Sequence, residues 1–253
     1  MRGAWQHTAQ QRVSTGSVFL ENDIFFKTIQ DNINEVLEEI ISAAKSSGRN
    51  PDEIKLMAVT KGKPLECAEA AYRAGLRLFG ENRVQEMIDK FSSFYEDAEI
   101  HYIGHLQRNK VKKALAITSA VDSIDKYETA EELSKHAKVL EKEVSVLLEY
   151  NTSDELTKSG FLSEKELFET VDKIRNLGNI KIKGLMTIAP FTDDEKAIRE
   201  SFRMLANFFK KIDDRHPDLK IDTLSMGMSY DFKIAIEEGS NIIRIGTRLF
   251  GSR

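Results

Sequence analysis

Apolar positions change their spacing along this chain in a repeating way. Ile29, Ile33, Val36, Leu37, Ile40, Ile41 and Ala44 recur at helical intervals on one face, and Gly48 stands where such a helix would stop. A short, nearly continuous apolar run follows, with Ile54, Leu56, Met57, Ala58 and Val59. That is the texture of a strand buried on both faces in a parallel sheet. Pro64 and Gly75 then bracket a second helix. Further strand-like runs cover 76–79, 100–103, 120–124, 144–150, 180–188, 221–224 and 242–245, mostly separated by helical stretches. Two helix starts carry a hydroxyl three residues before an acid, Ser163 with Glu166 and Thr192 with Glu195.

A β-then-α alternation forces parallel strands, because each crossover helix returns the chain to the same edge. Eight units close into a (β/α)8 TIM barrel, here with an additional N-terminal helix; an open doubly wound sheet is the other arrangement this order allows. No Pro/Gly/Ser linker or change of composition follows residue 28, so 28–253 reads as one domain. Residues 1–27 lack periodicity, hold the only tryptophan, Trp5, and read as a poorly ordered tail.

The 253 residues are 41% hydrophobic, enough for a large core. Charged residues make up 31%, but the net charge is only −4 and no dense basic patch occurs, which argues against nucleic acid as a partner. The single cysteine, Cys67, lies in an apolar helical pattern and reads as a small buried hydrophobe; one thiol forms no internal disulfide, so a reducing, cytoplasmic setting is expected. No apolar run approaches the roughly 20 residues needed to span a bilayer.

In a barrel of this kind the chemistry sits at the C-terminal ends of the strands. The first run ends in Thr60-Lys61-Gly62-Lys63. A lysine there is either a solvated strand-end residue, as Lys63 is read, or an amine that condenses with an aldehyde. Condensation needs the neutral form, about one lysine in 2,500 at pH 7, and partial burial raises that fraction. Asn82 follows the second run and stands beside Lys61, within reach of a ring hydroxyl. His105 follows the third as either a proton carrier or a surface residue.

The strongest local signal is the pair Ser225-Met226-Gly227-Met228-Ser229 and Arg244-Ile245-Gly246-Thr247 after the last two runs. Glycines and hydroxyls there let backbone N–H groups face a phosphate. Ser229 is also expected to open a helix whose positive end favours an anion. A phosphate cradle, a lysine and an arginine around one barrel mouth fit pyridoxal 5′-phosphate (PLP), and a sugar phosphate less fully. Lys61, Asn82, Met226, Ser229, Arg244, Gly246 and Thr247 make up the candidate cofactor set. The five histidines show no zinc-type spacing, and no G-x-G-x-x-G follows a strand.

At Ala58-Val59-Thr60-Lys61, Phe79-Gly80-Glu81-Asn82, Tyr102-Ile103-Gly104-His105-Leu106-Gln107, Gly184-Leu185-Met186 and the two loops just named, the sequence resembles the pyridoxal phosphate homeostasis protein family, itself similar to the barrel domain of alanine racemase. The resemblance covers about residues 28–253. The family commonly has proline where this chain has His105, so no role is implied for that residue. The resemblance implies Lys61 as the Schiff-base lysine, Ser229, Gly246 and Thr247 as phosphate contacts, and Arg244 near the pyridine nitrogen.

It further implies a PLP carrier or regulator of the vitamin B6 pool, with PLP-dependent apoenzymes or amino and keto acids as partners. The competing reading is an amino-acid racemase of weak activity. Racemases of this class append a β domain that supplies a second catalytic group. This chain stops soon after its eighth strand, so a non-catalytic monomer is the expectation. A lysine-dependent aldolase on the same barrel is the third alternative.

Overall fold

The alternation of short apolar runs and amphipathic stretches produces a closed ring of strands wrapped by helices. The structure, a computed structural model, describes residues 5–153, 155 and 159–252, with side chains from residue 23 onward. The strands are β1 (Lys55–Val59), β2 (Leu78–Glu81), β3 (Glu99–Tyr102), β4 (Ala120–Ile124), β5 (Val144–Glu149), β6 (Ile180–Met186), β7 (Thr223–Ser225) and β8 (Ile242–Ile245). They follow one another around the barrel in chain order, all parallel, and β8 closes onto β1 with Leu56 opposite Ile243 and Ala58 opposite Ile245. Closure excludes the open doubly wound sheet.

The helices are α1 (Trp5–Ser46), α2 (Leu65–Arg73), α3 (Val84–Phe91), α4 (Val111–Leu115), α5 (Tyr127–Val139), α6 (Glu164–Ile174), α7 (Glu195–Arg215), α8 (Phe232–Glu237) and α9 (Thr247–Phe250). The main apolar core lies between strands and helices, with Phe79, Phe202 and Leu148 fully buried in it. A smaller cluster of Met57, Val59, Leu78 and Ile242, with Ile103 against it, is separate from that layer. Gly184 permits the contact between β6 and β7: a Cβ there would stand 1.8 Å from the Thr223 carbonyl oxygen.

The first helix begins at Trp5, earlier than its apolar periodicity indicates. The first four residues of the expected tail, and the side chains up to residue 22, lie outside the described residues. From residue 29 on, Ile29, Ile33, Val36, Ile40 and Ala44 are buried as the pattern requires. Asn32 Nδ2 donates to the Leu249 carbonyl at 3.0 Å, and Arg248 pairs with Glu35 and Glu39. Lys233 joins Glu39 at 2.7 Å, so α1 is clamped to α8 and α9, the elements that follow the phosphate-type loops.

The Arg248 hydrogen bond, reinforced by Lys233 and opposed by burial, holds the Glu39 carboxyl down at about 2, below its ordinary 4.5. A depressed carboxylate adds stability that is fully present above its unfolded value and disappears as pH falls through the folded one. The clamp is therefore expected to weaken between pH 4.5 and 2. Urea titrations of wild type and Glu39→Gln should differ at pH 7 and converge at the acid end; a gap that persists at low pH contradicts this.

The helix start expected at Thr192 and Glu195 is built differently. Asp194 is the N-cap of α7 and accepts from the Lys196 and Ala197 N–H groups, while the Thr192 hydroxyl accepts from Asp194. Ser163 caps α6 as expected, accepting from Glu166 N–H at 3.2 Å. No described helix is long and apolar enough to cross a membrane.

Candidate functional site

The C-terminal mouth of the barrel holds a cavity of about 400 Å3. Lys61, Asn82, Ser229, Arg244, Gly246 and Thr247 all line it, so residues from the ends of β1, β2, β7 and β8 converge on one space. Phe191 and Tyr230 also border the cavity, and both are more than four-fifths exposed. The size and mixture of apolar wall with a few polar groups suit a small organic ligand.

Met226 does not share in this convergence. Its side chain is fully buried in the core and its backbone N–H and carbonyl both bond the Ser240 hydroxyl, whereas Met228 lines the cavity. The expected helix at Ser229 begins only at Phe232. Asp231 turns the chain first, its Oδ1 accepting from Met228 N–H at 2.5 Å. Ser229 thus reaches the cavity from a turn, and a helix dipole starting at that residue is not what positions it.

Lys61 is exposed while lining the cavity, so burial is not what sets it apart from other lysines. Its backbone is instead fixed from both sides. Thr60 Oγ1 donates to Glu81 Oε1 at 2.6 Å, and Lys90 Nζ donates to the same oxygen at 2.6 Å and to the Thr60 carbonyl at 2.7 Å. Gly62 N–H donates to Glu86 Oε2 at 2.7 Å, and Lys90 lies 3.5 Å from that oxygen. Burial pushes the Glu86 carboxyl up, but the Gly62 N–H and the Lys90 and Arg83 charges outweigh it and leave it below its ordinary value. Lys63 also borders the cavity, but its ammonium is held at the rim, donating to the Phe250 and Ser252 carbonyls at 3.0 and 2.7 Å.

Arg244 is 5% exposed, with Nη1 donating to Ser225 Oγ and Nη2 to the Thr187 carbonyl, each at 2.8 Å. These two anchors set the plane of the guanidinium in the cavity wall. Burial lowers its pKa from the ordinary value, against the charges of Asp122, Asp231 and Glu149. Gly246 lets β8 pass close to β1, since a Cβ there would lie 3.0 Å from the Val59 carbonyl. Asn82 contributes a side-chain oxygen that is buried without a hydrogen-bond partner among the described residues. A cationic wall, an orphan acceptor and loop N–H groups together fit a ligand carrying a phosphate, a hydroxyl and an aldehyde.

Residues 30–253 match the alanine racemase N-terminal domain family. The pyridoxal phosphate homeostasis protein of Aquifex aeolicus (strain VF5) is 40% identical over 226 residues, which is 88% of this chain and 97% of the relative. The chain belongs to the pyridoxal phosphate homeostasis protein family.

Among solved structures, PipY of Synechococcus elongatus PCC7942, with PLP bound, is 32% identical with a TM-score of 0.78, covering 88% of this chain and all of that one. An alanine racemase of Clostridium difficile 630 shares the fold at a TM-score of 0.65 and 18% identity over 86% of this chain and 56% of its own. The family's barrel mouth in this chain also holds residues that the sequence pattern did not single out. Lys90 and Glu86 read as ordinary charges on an amphipathic helix, and Glu149 as the polar end of a strand; nothing in local spacing marks them.

A second cavity, of about 490 Å3, lies at the opposite end of the barrel and is lined by His101, Asp122 and Lys55 among others. There His101 Nδ1 stands 3.0 Å from Asp122 Oδ2. Burial works against the imidazolium, but the Asp122 charge and hydrogen bond outweigh it and raise the His101 pKa. Ligand chemistry in this fold belongs to the other end. Among the described residues no group of three or more His, Cys, Asp or Glu is placed to hold a metal ion.

Proposed function

We propose that this protein binds PLP covalently through Lys61 and serves in intracellular PLP homeostasis. The observation that carries the reading is the convergence of Lys61, Arg244 and the β7 and β8 loops on one cavity. Its relatives support it: the Aquifex protein bears the homeostasis name, and PipY holds PLP.

PLP supplies an aldehyde that bonds an amine and a ring that withdraws electrons. The residues here have separable tasks. Lys61 provides the amine on a loop held by Glu81, Glu86 and Lys90. Ser229, Gly246 and Thr247 would hold the phosphate. Arg244, fixed by Ser225 and Thr187, would donate a hydrogen bond to the pyridine nitrogen and, keeping its own proton, would leave that nitrogen unprotonated. The orphan Asn82 oxygen would accept from the ring hydroxyl.

Titration of the cofactor-free protein with PLP, followed by absorbance, tests this. A band red-shifted from that of free PLP, saturating at one equivalent and fixed to the protein by borohydride, is expected, and a protein that shifts no band defeats the assignment. Arg244→Ala and Ser229→Ala are each expected to weaken PLP retention by about tenfold or more, as for hydrogen bonds to charged groups. Unchanged retention in both variants would remove these residues from the site.

A further inference from the structure

Glu149 ends β5 with its side chain buried, at 6% exposure, and its carboxyl has no hydrogen-bond or ion-pair partner among the described residues. It lines a cavity of about 230 Å3 together with Gly104 and His105. Asn82, Ile103 and Ile188 line this cavity and the cofactor cavity alike, so the two spaces adjoin. Asp125, just past β4, faces the same end of the barrel and pairs with His105 Nδ1 at 3.0 Å. Among the described lining residues His105 is the one basic side chain, and its ring is turned to Asp125.

A buried carboxyl without a partner is costly unless it is neutralised or meets a cation. Burial, helped by the Asp125 charge and opposed by Arg244, pushes Glu149 up to about 7. The group therefore takes up and gives up a proton near neutral pH, beside the space where Lys61 stands. That is the environment expected of a proton-exchanging acid.

We propose that this second cavity is the entry subsite for a small primary amine, with the Glu149 carboxylate receiving its ammonium group. The inference rests on the covalent reading of Lys61 given above. The incoming ammonium passes one proton to Glu149. The free amine then bonds the cofactor's aldehyde carbon as the Lys61 nitrogen leaves, and the proton held on Glu149 returns to the departing lysine. One carbon–nitrogen link forms and one breaks, with no oxidant or reductant. A ligand carrying its own carboxylate next to the amine brings a like charge against Glu149, whose surroundings the nearby Asp125 charge already makes more negative, so simple amines are favoured over amino acids. The cavity thereby lets amines, and not water alone, release the cofactor.

The test uses PLP-loaded wild type and Glu149→Gln at pH 8, above the Glu149 value of about 7. Ethylamine or alanine is added at equal concentration. Samples are fixed with borohydride over time, and the label remaining on Lys61 is read by mass spectrometry. Ethylamine is expected to discharge wild type at least about tenfold faster than alanine, and Glu149→Gln to slow the ethylamine reaction by at least about tenfold, the lower end of acid–base effects. Equal ethylamine rates in the two proteins, or alanine matching ethylamine, overturns the proposal.

Ligand-observed NMR of ethylamine with cofactor-free protein gives a separate readout: binding should be present in wild type and lost in Glu149→Gln. Asp125→Asn, should the first variant not fold, is expected to narrow the preference for ethylamine over alanine, and an unchanged preference counts against the subsite. Absence of any label on Lys61 before amine is added defeats the cofactor reading instead; ethylamine binding to the cofactor-free protein then decides the subsite alone.

Discussion

Lys61→Ala is expected to take up no covalent phosphopyridoxyl group when reduced with borohydride in excess PLP, and to lose cofactor on gel filtration that wild type retains. The variant keeps the phosphate loops and Arg244, so binding should persist in weakened, non-covalent form. Removal of the covalent link is expected to reduce retention on the order of a hundredfold, or about 2.8 kcal/mol at about 1.4 kcal/mol per decade. Stability should change little, because the Lys61 side chain is exposed and its loop is held through Thr60 and Gly62. Fluorescence-monitored PLP titration and thermal melts of the cofactor-free proteins separate the two quantities. A variant that still carries a phosphopyridoxyl group on the protein after borohydride reduction places the covalent link on another lysine.

Lys90→Ala should have the largest effect on stability. Glu81 is fully buried, and Lys90 is its ion-pair partner at 2.6 Å, with 9% of the lysine side chain exposed. Removing one partner of such a pair leaves a charge, or a proton taken up to quench it, where water cannot help. The typical cost is about 3–5 kcal/mol, a large share of the roughly 5–15 kcal/mol that stabilises a domain. For a chain of this size the melting temperature should fall on the order of 10 °C.

The same lysine also holds the Thr60 carbonyl, so the loop carrying Lys61 should loosen and PLP retention should drop with it. Combining Lys90→Met with Glu81→Gln removes both charges and should recover much of the stability, because the penalty comes from the unpaired group. A single variant as stable as wild type would mean that Glu81 finds another partner, and the network described here would not be what fixes the loop.

The contrast between Lys61 and Lys90 shows what the sequence could and could not reveal. Lys61 follows a strand and so falls at the mouth of a barrel; strand order and position suffice to single it out. Lys90 lies on the amphipathic α3, where a charged residue looks like solvated surface, and only the closed barrel brings it against Glu81. Glu81 itself is a charged residue inside a strand. Apolar patterning placed the second strand at 76–79, whereas β2 runs from Leu78 to Glu81, because the lysine makes that burial tolerable. The seventh strand shifted in the same direction, from 221–224 to Thr223–Ser225, where Ser225 pairs with Ile242 and accepts from Arg244.

That the loops after β7 and β8 border the barrel mouth was legible from their glycines and hydroxyls, yet the helix start at Ser229 was not, since Asp231 caps the turn through a local bond to Met228. Met226 and Met228 are indistinguishable in sequence; the turn through Gly227 decides which one meets the cavity and which the core. Glu149 carried no local mark either. Its unusual setting arises first from burial at the strand end and then from the Asp125 charge, with Arg244 opposing, and both of these residues are distant from it in the chain. What local pattern conveys is which strand end a residue occupies. Pairing across the barrel becomes visible only with closure.

The most direct measurement of the central claim is the site of covalent attachment. PLP-saturated wild-type protein is reduced with borohydride, digested and mapped by mass spectrometry. A single phosphopyridoxyl group on the peptide containing Lys61, at close to one equivalent, is the predicted result. Label on Lys63 or Lys90 in place of Lys61, or scattered at low occupancy over surface lysines, would contradict it.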